Sequence, residues 1–194
     1  VLFSNAPGGP LCVAAVNACG TGPSDCEAAV VSNVPAPNAG TDGQTCGLTF
    51  NLSAIQSIAG SSAGWTQAAG PGMAAFSNPT SQNTQVTVNQ YGSYVFRFSE
   101  TNGNCSVSDS VTVIFNQTPA AGLIVPACAP TNLTYSVTFP ISGGQSPWTV
   151  AGGTVIAGIF TSNQIASGTG YNFTITDANG CTSAAISGSF DCNC

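Results

Sequence analysis

GSYVFRFSETNGNC (92–105) and GYNFTITDANGC (170–181) decide the fold. In the first, Tyr94, Phe96 and Phe98 alternate with other residues, a period of two that marks a strand with one buried face. In the second, Tyr171, Phe173, Ile175, Asp177, Asn179 and Gly180 stand at the offsets of Tyr94, Phe96, Phe98, Glu100, Asn102 and Gly103. Cys105 and Cys181 close the two segments, with one extra residue in the first. Asn-Gly is what a tight hairpin turn selects, because its backbone takes positive φ. Such self-similarity marks a duplicated unit.

Outward from these segments the same period continues. TQVTVN (84–89), CSVSDSVTVIFN (105–116) and LTYSVTFPI (133–141) alternate, and Tyr135, Val137, Phe139 and Ile141 share one face. AGSSAG, AAGPG, SGG, AGG and DANG lie between the runs and carry turn chemistry. No stretch offers an apolar i, i+3, i+4, i+7 stripe over three turns, so helix is not expected. The fold class is all-β: antiparallel immunoglobulin-like (Ig-like) sandwiches in tandem, end to end and stabilised by disulfides. Ala39-Gly40 precedes Cys46 by the gap that separates Ala121-Gly122 from Cys128, and each follows a Pro-bearing linker, NVPAPN or NQTPA. The expected modules are therefore 36–117 and 118–194. Residues 1–35 read as the last hairpin of a preceding module, with strands in LCVAAVN and CEAAVVSNV around the turn CGTGPSD.

Composition narrows the chemistry. The 194 residues hold 1 Lys+Arg, 7 Asp+Glu and no His, for a formal charge of -6. Charged residues make up 4%, against about 25% in most domains. With Arg97 as the only base, binding to a phosphate backbone is excluded, because it needs several cations. Hydrophobic residues reach 43%, enough for a core. No apolar run is long enough to span a bilayer and no secretory leader opens the chain, so no membrane insertion is expected. The opening VLFSNAPGGPLCVAAVNACG reads like the interior of a domain, and we expect a window of a longer exported protein.

Nine cysteines at long spacings, without a CxxC pair, point to disulfides made in an oxidising compartment. The layout predicts Cys46–Cys105 and Cys128–Cys181, each tying the opening of a module to its penultimate turn. Cys19 and Cys26 flank the first hairpin turn and are expected to pair across it. Cys12, Cys192 and Cys194 have no assigned partner from spacing; the last two fit a junction with a following module.

Catalysis finds little support. Asp25, Glu27, Asp42, Glu100, Asp109, Asp177 and Asp191 show no spacing that favours a facing pair, as glycoside hydrolysis requires. A Ser or Cys nucleophile has neither His nor Lys to activate it. The chain is read as a non-enzyme. Calcium is the one cofactor with candidate ligands, Asp177 with Asn179 and Glu100 with Asn102. Each turn offers only two side chains where Ca²⁺ takes six or more oxygens, and turn geometry alone explains both. Trp65 and Trp148 suit a sandwich core, and Trp148, after GGQSP, is also a candidate glycan contact. Tyr94 and Tyr171 are expected to be corner tyrosines that bond back to the backbone.

PNAGTDGQTCG, GWTQAAGPG and QVTVNQYGSYVFRFSETNGNCSVSDSVTVIFN resemble a polycystic-kidney-disease-like (PKD-like) Ig-type repeat of Bacteroidota surface proteins. SVTFPISGGQSPWTV followed by GYNFTITDANGC is similar to the repeats of gliding-motility adhesins. The resemblance implies a long exported chain of tandem sandwiches, sent out by the type nine secretion system. Asp109-Ser110-Val111 fits the O-glycosylation pattern that this resemblance brings, with Ser110 as acceptor. The implied function is a disulfide-locked shaft of a bacterial cell-surface adhesin or extracellular filament. Neighbouring repeats of the same protein are its partners, with surface glycans or a protein of the export or motility apparatus beside them. The rival readings are a carbohydrate-binding or accessory module of a secreted enzyme, and a phage fibre or decoration protein.

Overall fold

In the computed structural model, residues 10–17, 19–28 and 33–192 are described. A hairpin of β1 (Pro10–Asn17) and β2 (Gly20–Ala28) comes first. Then follow β3 (Gly43–Cys46), β4 (Thr49–Ser53), β5 (Ser62–Ala69), β6 (Ala74–Phe76), β7 (Asn83–Val88), β8 (Gly92–Asn102) and β9 (Cys105–Asn116). The second half holds β10 (Ala120–Ala121), β11 (Val125–Cys128), β12 (Thr134–Ser142), β13 (Thr149–Val150) and β14 (Gly153–Ile156). It closes with β15 (Ile159–Ser162), β16 (Ile165–Ala166), β17 (Gly170–Phe173), β18 (Ile175–Thr176) and β19 (Ile186–Ser189). The described elements are all strands.

In the first half, the sheet β3-β9-β8-β5 faces the sheet β4-β7-β6. Tyr94, Phe96 and Phe98 of β8 are fully buried, as their alternation requires, and Val111, Val113 and Phe115 of β9 join them. Burying each such side chain stabilises by roughly 1.5–3 kcal/mol. The rings interlock: Phe115 meets Tyr94 edge-on at 5.4 Å and Trp65 tilts against Phe98 at 5.0 Å. Trp65 is a core residue whose indole N–H donates to Gln82 O at 3.2 Å. One pairing departs from the antiparallel expectation. β3 runs parallel to β9, with Gly43 opposite Val113 and Cys46 opposite Asn116.

The second half repeats the plan with shorter strands. β12 is its centre, flanked by β15 and β14 on one side and by β10 and β11 on the other. Tyr135, Val137, Phe139, Phe160, Phe173 and Ile175 form a separate core. Val111 faces Phe96 across β8–β9, and Ile186 faces Phe173 across β17–β19, so the duplicated segments occupy the same place in both halves.

The disulfides differ from the expected pairs: Cys46 bonds Cys181, and Cys128 bonds Cys192. Register explains the difference. Cys46 lies beside Asn116, the last residue of β9, whereas Cys105 is its first. Eleven strand steps at about 3.3 Å separate those ends by roughly 36 Å, and a disulfide spans Cα atoms only about 4.4–6.8 Å apart. The Cys19–Cys26 expectation rests on a side chain outside the described residues, as do Cys12 and Cys194. In the hairpin backbone Cys26 stands opposite Cys12, and Cys19 lies in the turn.

The tyrosine expectation holds for Tyr94, whose hydroxyl donates to Gln90 O at 3.0 Å. In the second half Tyr135, not Tyr171, makes the backbone bond, to Thr169 O at 2.5 Å. Tyr171 is half-buried and stacks on Phe173. A Cβ on Gly188 would stand 2.5 Å from its hydroxyl, so the ring lies directly over the last strand.

Candidate functional site

The two acids near the ends of the duplicated strands, Glu100 and Asp177, are buried and held by several hydrogen bonds each. Glu100 is completely buried. Its Oε2 accepts from Ser57 N and Ser57 Oγ at 2.9 and 2.7 Å. Its Oε1 accepts from Ile58 N and Ser61 Oγ at 2.8 and 2.6 Å. Burial by itself pushes the Glu100 carboxyl up; the bonds from Ser61, Ser57 and Ile58 together outweigh it and hold it down at about 2. Asp177, also buried, accepts at Oδ1 from Asn179 N and Cys181 N, and at Oδ2 from Gln145 N. Each acid therefore fastens its turn to the loop after an opposite strand.

These contacts bear on the calcium candidates. Protein donors converge on both carboxylates, and the amides beside them turn their N–H groups elsewhere. Asn102 Nδ2 donates to Asn33 O at 3.0 Å, and Asn179 Nδ2 donates to Asn116 Oδ1 at 3.1 Å. Among the described residues, no three His, Cys, Asp or Glu side chains gather where they could hold a metal ion.

The Asn179 bond leads to the feature with the greatest reach. Asn116 ends β9 of the first half, and the Asp177–Cys181 turn belongs to the second. At the same place Cys46 and Cys181 are joined, with Cα atoms 5.5 Å apart and 135 residues between them in sequence. Cys46 is exposed and Cys181 buried. A covalent bond, an amide hydrogen bond and the NQTPA linker thus meet at one junction between two separate cores. Gly144 lets the loop fit there: its φ is +64, and a Cβ would stand 2.8 Å from Asp177 Oδ2.

Trp148 and Ser110 lie apart from the junction turn. Trp148 is half-buried against the second core, and its indole N–H donates to Gly143 O at 3.0 Å. Ser110 is exposed in β9, opposite Arg97. Sequence reading missed the serines that hold Glu100 and the two acids that clamp the edge of the first half. Asp109 Oδ2 accepts from Ala39 N at 2.9 Å and Asp42 Oδ1 from Thr112 N at 2.7 Å. The only signal was Asp109, an acid standing alone in the otherwise uncharged β9.

No protein-family model matches the chain, and no curated protein matches it. Solved structures do. The chain is similar to the eight N-terminal Ig domains of Down syndrome cell adhesion molecule, with 11% identity and a TM-score of 0.58. That match covers 95% of this chain and 31% of the other, so the chain spans about a third of that structure's length. The fold is Ig-like. A PKD domain from the KIAA 1837 protein is matched over its whole length and 48% of this chain, at 24% identity and a TM-score of 0.40. An I-band fragment of titin is matched at 13% identity and a TM-score of 0.45, over 84% of this chain and 66% of the other. None of these structures is described as an enzyme.

Proposed function

We propose that this chain is a structural segment of an extracellular adhesin or filament, which holds a binding site away from the cell surface. The observation that carries the reading is the Cys46–Cys181 bond, which closes the junction between the two cores. A segment that transmits force gains from a covalent bond at the point where its units would otherwise part. Disulfides belong to exported proteins, and the likeness to a cell adhesion molecule supports an adhesion setting. Among the described residues, no helix is long and apolar enough to cross a membrane. The resemblance to Bacteroidota repeats extends the proposal to a bacterial cell surface and type nine secretion. Neighbouring repeats are then the partners, and no cofactor is needed.

Unreduced peptide mapping together with small-angle scattering tests this reading. A linked Cys46–Cys181 peptide is expected, with a radius of gyration well above the roughly 16 Å of a globular chain this long. A compact particle, or saturable binding on a glycan array that is lost on replacing Trp148, would overturn the passive role.

A further inference from the structure

The last strand of each half has a different outer edge. In the first half β9 is covered on that side by β3, and beyond β3 the Asp109 and Asp42 carboxylates close the gap. In the second half, among the described residues, β19 pairs only with β17. Along its open side runs a groove of about 490 Å³, between residues 118–124 and 183–187. That volume falls within the range of binding clefts, roughly 300–1,000 Å³.

The cause is legible residue by residue. Val111 and Ile186 hold the same position, each opposite the equivalent Phe. Two residues before Val111 stands Asp109; two before Ile186 stands Ala184. On the facing side Ala39 and Ala121 correspond: Asn38 bridges Ile55 just past β4, and Ala120 and Ala121 pair with β12. Three residues after Ala39 is Asp42; three after Ala121 is Ile124. Both carboxylate clamps have therefore been replaced by apolar side chains. Gly122 N donates to Pro140 O, so by strand alternation the Ala121 N–H points the other way, into the groove. β19 itself reads Ile-Ser-Gly-Ser and carries no Lys, Pro or inward charge of the kind that protects exposed edges.

We infer that this edge is an acceptor site for an extended strand of a partner protein. The strand that covers β9 defines the chemistry required: small inward residues, like Gly43 and Thr45, led by a carboxylate that takes a backbone N–H as Asp42 takes that of Thr112. The equivalent N–H in the second half is that of Ser187. The groove begins at Thr118 in the linker, so it is continuous with the junction between the halves. Binding by strand addition uses main-chain bonds for affinity and alternate side chains for choice.

The probe is a synthetic peptide with the sequence of residues 41–48 and Cys46→Ser, titrated into the full chain by calorimetry and amide NMR. Saturable binding is expected, with shifts confined to residues 118–124 and 183–189. Ala184→Asp, which sets a carboxylate before the Ala121 N–H, is expected to melt no lower than the parent and to weaken binding at least tenfold. Ala184→Leu fills the same space without a charge and is expected to weaken it too. No saturable binding at millimolar peptide, shifts in the first half instead, or affinity unchanged in both variants would overturn the assignment. So would self-association of the chain alone that Ala184→Asp abolishes, since the occupant would then be a second copy.

Discussion

Glu100 is buried because four hydrogen-bond donors pay for its charge, and that arrangement ties stability to acid. Its folded carboxyl titrates near 2, below its value of 4.5 when unperturbed. The stabilisation is therefore complete above the unfolded value and is lost as pH falls through the interval between them. Glu100→Gln is expected to melt lower than the parent at pH 7, since an amide offers one acceptor oxygen where four donors converge. The two melting temperatures should draw together as pH drops from about 4.5 to about 2. A gap that stays constant over that range would show that the carboxylate is not the anchor. Gly144 is a second sensitive position, because only glycine combines its φ of +64 with the approach to Asp177. Gly144→Ala should destabilise by about 1–3 kcal/mol in denaturant unfolding. These two residues differ in how far the sequence reveals them. The Glu100–Asp177 equivalence stands in the repeated offsets, but the donors come from loops about 40 and 32 residues away, which no local pattern indicates.

Among the elements, β8 carries the period that announced the fold, and its position in the sheet has a measurable consequence. Arg97 is exposed, yet its backbone is paired with Thr66 on one side and Ser110 on the other. Trypsin-like proteases need an extended, unpaired segment, so the folded protein should remain intact although the side chain is accessible. Rapid native cleavage after Arg97 would contradict the β5-β8-β9 arrangement. The clamp on the edge of the first half is open to a similar test. Asp109→Ala should cost about 1.5–3 kcal/mol, the worth of a hydrogen bond to a charged group, measured as a shift in urea midpoint without a change in slope. Alternation placed Tyr94, Phe96 and Phe98 correctly because burial on one face imposes a period of two on any strand. The corner-tyrosine expectation failed for Tyr171, because hydroxyl bonding depends on which ring reaches a carbonyl across the sandwich, and there Tyr135 reaches Thr169.

At the scale of the molecule, the Cys46–Cys181 bond has the greatest reach of the two described disulfides. With 135 residues between its ends, chain-entropy reasoning gives an upper value of about 5 kcal/mol. The double variant Cys46→Ser, Cys181→Ser is expected to unfold at lower denaturant than the parent. Its radius of gyration should also broaden in distribution as the junction loosens. Removing Cys128 and Cys192 together should leave the junction intact and lower stability only, because that bond closes a single half across 64 residues. If the first variant unfolds like the parent, the junction bond does not form in solution.

By itself the sequence determined the all-β class, the duplication and the buried face of each long strand. Those follow from local period and turn chemistry, which neighbours in sequence impose on one another. Only the tertiary structure decided how the cysteines pair, where the acids find their donors and which sheet edge lies open. Each of these depends on register between strands far apart in the chain. Cys46 illustrates the reason: spacing placed it at the opening of its module, and the parallel course of β3 beside β9 carried it to the opposite end of the unit from Cys105.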